Sequence, residues 1–342
     1  MLQYLVILLD DTSVAYCHAD NPLKERNLIP LETLRKAILF GMKENLMIQY
    51  VYPDYELPAE YCEVIESIDH VKIFPESQEI YPSGTPCHIP LARGGTEDAK
   101  VIVYNSVPGG IATKNTVLRL TIADFIAKQY DIAALLPQAE RLNICLTDID
   151  AFTDAQQEDY KKALATLNAV LLNQYKQGKQ PQVNILTDLL QLDKMHNCGA
   201  GDTNITIAPN GKFYLCPAFY YDERTGVSNR MNHHRPSSER SVGDLENGLQ
   251  IPNPQLLKLD HAPLCRKCDA YHCNRCIWLN QRMTWDNNTP SHQQCVVAHL
   301  ERNASRDLQQ QLCEAGFAFK HEIKQIDYLD PFEVWDELKR CE

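Results

Sequence analysis

The run Tyr4-Leu-Val-Ile-Leu-Leu9-Asp-Asp-Thr-Ser-Val-Ala-Tyr-Cys17 decides how this chain is read. Six consecutive apolar residues end at an acidic pair, the pattern of a buried strand that gives way to a polar loop. Further runs rich in Val, Ile, Leu or Tyr at residues 46–52, 71–74, 100–104, 117–121, 142–147 and 183–187 predict more strands. Between them lie helix-like stretches at 31–44, 58–67, 123–130 and 155–175. In the last, Ala163, Leu164, Leu167, Val170 and Leu171 recur at helical spacing and give one apolar face. Strands alternating with helices predict an α/β fold with a mainly parallel sheet, an α/β barrel or part of one.

The chain has 342 residues, 44% of them hydrophobic, enough for one large domain and a smaller one. No apolar run approaches the roughly 20 residues needed to cross a bilayer, so no membrane span is expected. Neither a basic n-region nor a small-residue cleavage site follows Met1, and the expected location is the cytosol. A net charge of −12 without a long basic run lacks the positive surface that nucleic acid needs, so nucleic acid is not expected as a partner. The Pro/Gly-rich stretch 81–95 and the turn 107–110 read as loops. Near Met195 the composition shifts to Cys, Asn, His and Arg, which divides the chain into residues 1–196, a cysteine-rich domain over 197–312 and a tail over 313–342. Residues 222–240 read as a polar loop, and the tail ends in an amphipathic turn or two at 331–340.

Seven of the 13 cysteines fall between Cys198 and Cys295. In a reducing cytosol such clustering points to metal or cluster ligands rather than disulfides. Cys265-x2-Cys268-x4-Cys273-x2-Cys276 has the spacing by which a tight turn aims two thiolates at one metal, and four such groups satisfy zinc or an iron-sulfur cluster. Residues 203–208 and 212–215 alternate like two strands joined by Pro209-Asn210-Gly211, a hairpin signal that would bring Cys198 and Cys216 together. Cys62, Cys87 and Cys145 read as small buried hydrophobes, and Cys313 and Cys341 have no assigned role. Six of the 11 histidines, His196, His233, His234, His261, His272 and His292, lie in or beside this stretch, and their irregular spacing reads them mostly as surface residues.

The segment containing Cys198-Gly-Ala-Gly, Ile207-Ala-Pro-Asn-Gly-Lys-Phe-Tyr-Leu-Cys216 and Ser241-Val-Gly-Asp-Leu245 resembles the SPASM domain of radical SAM peptide-modifying enzymes. The resemblance implies one [4Fe-4S] cluster on Cys265, Cys268, Cys273 and Cys295, and a second on Cys198, Cys216 and Cys276. The block differs from the family's CxxC-x5-C-x3-C, and the second set has no fourth thiolate. Zinc held by the four thiolates of the 265–276 block is the alternative.

A SPASM domain implies a radical SAM barrel whose first strand ends in CxxxCxxC. The equivalent positions here are Asp10, Val14 and Cys17, so one thiolate of three is kept. The family's Gly-Gly-Glu-Pro after the second strand is replaced by Tyr50-Val-Tyr-Pro-Asp-Tyr-Glu-Leu-Pro58. The expected fold is therefore a degenerate radical SAM-like partial (β/α) barrel followed by a Cys-rich SPASM-like domain, with no S-adenosylmethionine site; a cluster rescued by an Asp10 or Asp11 ligand in an active enzyme is the alternative. The whole chain, including Leu5-Val-Ile-Leu-Leu-Asp-Asp-Thr-Ser-Val-Ala-Tyr-Cys-His18 and Cys273-Asn-Arg-Cys-Ile-Trp-Leu-Asn280, resembles the CXXX repeat peptide maturase family. That resemblance implies a Cys-repeat precursor peptide and a partner radical SAM maturase. The function it implies is that of an iron-sulfur accessory maturase of a ribosomally made peptide; a non-catalytic peptide-binding module with structural zinc is the alternative.

Gly94-Gly95 and Gly109-Gly110 are too isolated for phosphate loops. Asp148 and Asp150, after a strand, would sit at the functional rim of a barrel or cap the helix near Thr153. Arg119 would point into the barrel, toward an anionic peptide group or a rim carboxylate. Tyr271, Trp278 and Trp285 read as packing around the cysteine block.

Overall fold

The structure is a computed structural model and describes residues 2–77, 100–195, 198–226 and 240–319. The predicted loop 81–95, the terminal turns at 331–340, Cys87, Cys341, His196, His233 and His234 lie outside the described residues. The chain forms two compact units, residues 1–119 with 199–257, and residues 120–198 with 258–342.

In the first unit, β1 (Tyr4–Leu8), β2 (Met47–Val51), β3 (His70–Pro75), β4 (Lys100–Tyr104), β5 (Asn115–Leu120), β8 (Asn204–Ile207) and β9 (Phe213–Tyr214) line up in the order β5-β4-β3-β2-β1-β8-β9. All neighbours are parallel except β8 and β9. The central strand β1 pairs Leu5 with Ile48 on one side and Ile205 on the other. Leu5, Ile7 and Leu8 are fully buried, which is why the strand reads as a continuous apolar run rather than an alternation. Helix α1 (Leu31–Lys43) buries Leu34, Ala37, Ile38 and Gly41, one face at helical spacing. Gly41 is required by close approach, since a Cβ there would stand 2.8 Å from Ile48 Cδ1 and 3.2 Å from Leu5 Cδ2. Helix α2 (Ala59–Ile65) follows β2. The Asn-Gly signal is met: β8 and β9 are antiparallel, Gly211 at φ +75° makes the turn, and Gly211 N–H donates to Ala208 C=O at 2.9 Å.

In the second unit, β6 (Arg141–Leu146) pairs in parallel with β7 (Gln182–Val183), beside helices α3 (Ile122–Ala127), α4 (Gln129–Leu135) and α5 (Gln157–Lys176). The helix expected over 123–130 is two helices, because Lys128 at φ −105° breaks the helical path between them. The strand expected over 183–187 stops after two residues. Thr187 Oγ1 accepts from Val183 N–H at 2.7 Å while Thr187 N–H donates to Val183 C=O, so the chain closes into a turn rather than extending. Helix α5 packs on the C-terminal helix α8 (His292–Glu314): Tyr160 donates to Glu301 at 2.6 Å and Asn168 to Ala304 C=O at 2.7 Å. No helix among the described residues is long and apolar enough to cross a membrane.

Residues 222–225, expected in a loop, close helix α6 (Pro217–Thr225), which ends at Gly226 in the left-handed conformation.

Candidate functional site

In the first unit the loop after β1 runs under the C-terminal ends of the parallel strands, where barrels of this class place their chemistry. A cavity of about 680 Å³ opens there, lined by Thr12, Asn21, Arg26, Asp54, Asn105 and Arg119 among others. Asp10 and Asp11 are 0% and 2% exposed. Asp10 Oδ1 accepts from Thr12 N–H at 2.8 Å and from its hydroxyl at 2.6 Å, and Oδ2 accepts from Tyr55 at 2.8 Å. Asp11 accepts from Tyr220, from Arg224 at 3.1 Å and from Asn27 at 3.3 Å. Burial, reinforced by the neighbouring carboxylates, raises the pKa values of Tyr55 and Tyr220 and keeps both phenols protonated as donors. Ser13 donates to Val51 C=O, Val14 N–H to Tyr52 C=O, and Asn21 to the carbonyls of Asp11 and Ser13.

Arg119 is buried, and its guanidinium holds the far side of the same loop. Its Nε donates to Cys17 C=O at 2.9 Å, and its terminal nitrogens to Asn105, Ala19 C=O and Asp20. The acidic partner is thus Asp20, not a rim carboxylate. Asp148 caps a helix as expected, but a different one: its Oδ1 accepts from Ile122 N–H at 2.8 Å at the start of α3, while the turn at Thr153 is closed by Gln156.

The cysteine block lies in the second unit. Cys265 and its neighbours Met195 and Ala262 form a buried apolar cluster against which Cys268, Tyr271 and Cys273 pack. Two amides point at sulfur, Ala270 N–H at Cys268 Sγ (3.4 Å) and Arg275 N–H at Cys273 Sγ (3.5 Å). Such donors favour the thiolate. Burial acts the other way, pushing the Cys265 thiol up to about 11 and raising Cys273 further. Buried thiols of this kind would gain a counter-charge from a cation, but their placement does not form a metal site. Among the described residues no three His, Cys, Asp or Glu side chains stand at metal-binding distance.

Cys198 N–H donates to Asn274 C=O at 3.0 Å, which sets Cys198 beside the Cys273–Cys276 turn. Cys276 is buried at the N-cap of α7 (Ile277–Thr284), and Cys295 sits in the first turns of α8. Cys216 closes the hairpin of the first unit as the residue before α6. Both Cys216 and Cys17 act electrostatically on buried Tyr221. Cys62 is buried and disulfide-bonded, so it is more than a packing residue.

Sequence spacing missed the histidines. His272 is 7% exposed, with Nε2 3.1 Å from Glu301 Oε2, and His299 Nε2 lies 3.6 Å from Cys268 Sγ. Two salt bridges, from Arg302 at 2.8 Å and from Arg306, tie Asp269 to α8. Trp278 is buried, but Trp285 is 60% exposed and in the left-handed conformation, so it does not pack around the block.

The sequence matches no protein-family model and no curated protein. The fold is similar to that of anSMEcpe with bound AdoMet, at a TM-score of 0.54 and 10% identity over 92% of this chain and 100% of that one. It is also similar to anSMEcpe with bound AdoMet and Cp18Cys peptide, at 0.57 and 10% over 92% and 99%, and with AdoMet and Kp18Cys peptide, at 0.54 and 11% over 91% and 99%. At this identity the likeness concerns architecture: the chain has an α/β, radical SAM-like partial-barrel fold with a cysteine-rich C-terminal region.

Proposed function

We propose that this chain is an accessory protein in the maturation of a ribosomally made cysteine-repeat (CXXX) peptide, and that it binds the peptide without itself cleaving S-adenosylmethionine. The observation that carries the second part is the state of the loop after β1. Of the three positions where the fold would hold an S-adenosylmethionine-cleaving cluster, Val14 has no donor atom, and both carboxylate oxygens of Asp10 accept hydrogen bonds from within the protein. These residues do not fit that cluster. The cavity beside them, with Arg119 and Asn105 at one side, offers space and polar atoms for a peptide segment. Peptide complexes of anSMEcpe, a protein of similar fold, support a peptide as the partner class.

The leading reading gives the cysteine-rich segment 197–312 iron-sulfur clusters. One [4Fe-4S] cluster or two would supply electron transfer or a thiophilic iron to a substrate cysteine. The second reading, a peptide-binding module with structural zinc, is favoured by the contact of Cys268 with His299.

Anaerobic purification with iron, sulfide and zinc quantitation per chain, alongside Cys17→Ala and Cys276→Ala, tests this. Iron unchanged by Cys17→Ala and lowered by Cys276→Ala, with no 5′-deoxyadenosine formed from S-adenosylmethionine under reducing conditions, supports the accessory reading. Zinc without iron selects the structural module. Reductive cleavage of S-adenosylmethionine that depends on Cys17 sinks both.

A further inference from the structure

We propose that β2, β3 and the end of α2 enclose a binding site for one water molecule, held by the hydroxyls of Tyr50 and Tyr52, the Nε2 atom of His70 and the Oε2 atom of Glu66. The site lies within the first unit and depends on neither the peptide nor the metal reading above.

Strand register brings the groups together. Parallel pairing sets Ile48 beside His70 and Tyr50 beside Lys72. Residues two apart share a face of a strand, so Tyr50, Tyr52, His70, Lys72 and Phe74 stand on one side of the sheet. The ring contacts agree, with centroids 5.1 Å apart for Tyr50 and His70 and 4.2 Å for Tyr52 and Phe74. Glu66, at the C-terminal end of α2, meets them there: its Oε1 accepts from the Lys72 ammonium, and its charge acts on Tyr50, Tyr52 and His70.

Tyr50, Tyr52 and His70 are 0%, 1% and 8% exposed. Even so, the two hydroxyls, His70 Nε2 and Glu66 Oε2 are sealed from solvent without a hydrogen-bond partner among the described residues. Native proteins leave few buried polar groups in that condition, and four in one place point to a shared occupant.

The protons select that occupant. His70 Nδ1 lies 2.7 Å from the carbonyl of Ile68, which can only accept, so the neutral ring carries its proton on Nδ1 and offers a lone pair at Nε2. Glu66 Oε2 offers another. Burial and then the Glu66 charge raise the pKa values of both phenols, which therefore keep their protons. Two donors and two acceptors are unmet, and a water that accepts twice and donates twice meets all four. A cation would add positive charge beside Lys72, and an anion would face two lone pairs, one of them on a carboxylate. Water here ties α2 to strand ends that reach the cavity, where Val14, whose N–H donates to Tyr52 C=O, and Pro75, the last residue of β3, form part of the lining.

The test is nuclear magnetic resonance on the labelled full chain at about pH 8, above the ordinary imidazole pKa of about 6.5. The expected result is slowly exchanging hydroxyl protons on Tyr50 and Tyr52 that cross-relax with water, and a His70 ring protonated at Nδ1 alone. Tyr52→Phe, which keeps the ring, should shift the His70 Nε2 resonance even though no direct bond joins the two side chains. A proton on Nε2, or a phenol coupled directly to His70 or Glu66 with no contact to water, overturns the proposal. Hydroxyl protons that exchange too fast to be seen would mean that the site is open to bulk solvent, and overturn it as well. A urea midpoint that rises with potassium or sodium at constant ionic strength, but not in the Tyr50→Phe, Tyr52→Phe double variant, replaces the water with a cation.

Discussion

The loop after β1 and the block at 265–276 are the two places where the sequence resemblance leads one to look for metal, and they solve the problem of buried polar atoms in opposite ways. Around Asp10 and Asp11 the partners are all supplied by the protein: two phenols, a guanidinium, two amide or hydroxyl donors from Thr12 and the side chain of Asn27. Around Cys265 and Cys273 the thiols are buried among apolar neighbours, with amides aimed at sulfur. A polar network complete in itself gains nothing from an ion, and a buried thiol set gains a counter-charge from one. On the reading proposed above, the two regions should therefore respond differently to metal and to mutation.

The largest expected effect separates them directly. Removing metal with a chelator under reducing conditions should speed hydrogen exchange at the amides of Ala270 and Arg275 by at least about a hundredfold, while the amides of Ser13 and Val14, bonded to Asp10 C=O and Tyr52 C=O, stay unchanged. Equal change in both sets, or none in either, would break the contrast. The next effect belongs to the first region alone. Asp11→Ala should cost about 3 kcal/mol in urea denaturation, because it strips a buried carboxylate from Tyr220 and leaves Arg224 unmatched, and Asp11→Asn should recover part of it. A loss below about 0.5 kcal/mol would mean that the network does not hold the loop. Tyr55→Phe should cost about 1 kcal/mol, since Asp10 keeps its bonds from Thr12 and only one oxygen loses its donor.

The smallest effect is a pH dependence in β3. Burial lowers the pKa of His70, whose Nδ1–H donates to Ile68 C=O at 2.7 Å. Below about pH 6.5 the unfolded chain binds a proton there that the folded chain refuses, so stability falls as the pH drops from that value toward the lowered one. The slope cannot exceed about 1.4 kcal/mol per pH unit for one group. His70→Phe should flatten the acid side of the urea midpoint measured between pH 7 and 5. An unchanged slope would assign the acid loss to carboxylates elsewhere.

Strand positions were legible because buried parallel strands are continuous apolar runs, and the expected runs overlap every strand from β1 to β6. Where the reading failed, local conformation intervened: the Thr187 hydroxyl folded the end of β7 back on itself, and the backbone at Lys128 left the helical path and split a helix. The hairpin turn at Asn210-Gly211 was legible too. The histidines were not. His299 follows Cys273 by 26 positions, outside any recognisable spacing, and only the packing of α8 on the loop shows that it meets Cys268.

By itself the sequence determined the α/β alternation, the Gly211 turn, the residue types at positions 10, 14 and 17 and the grouping of cysteines after residue 197. These are local properties, set by periodicity, turn conformations and residue chemistry within a few positions. Only the tertiary structure decided what occupies the oxygens of Asp10 and Asp11 and which α8 side chain faces the Cys268 sulfur. The partners come from 45 positions away for Tyr55, 209 for Tyr220 and 31 for His299. A hydrogen bond or a metal ligand is selected by distance in space, and that distance exists only once sheet and helices have packed.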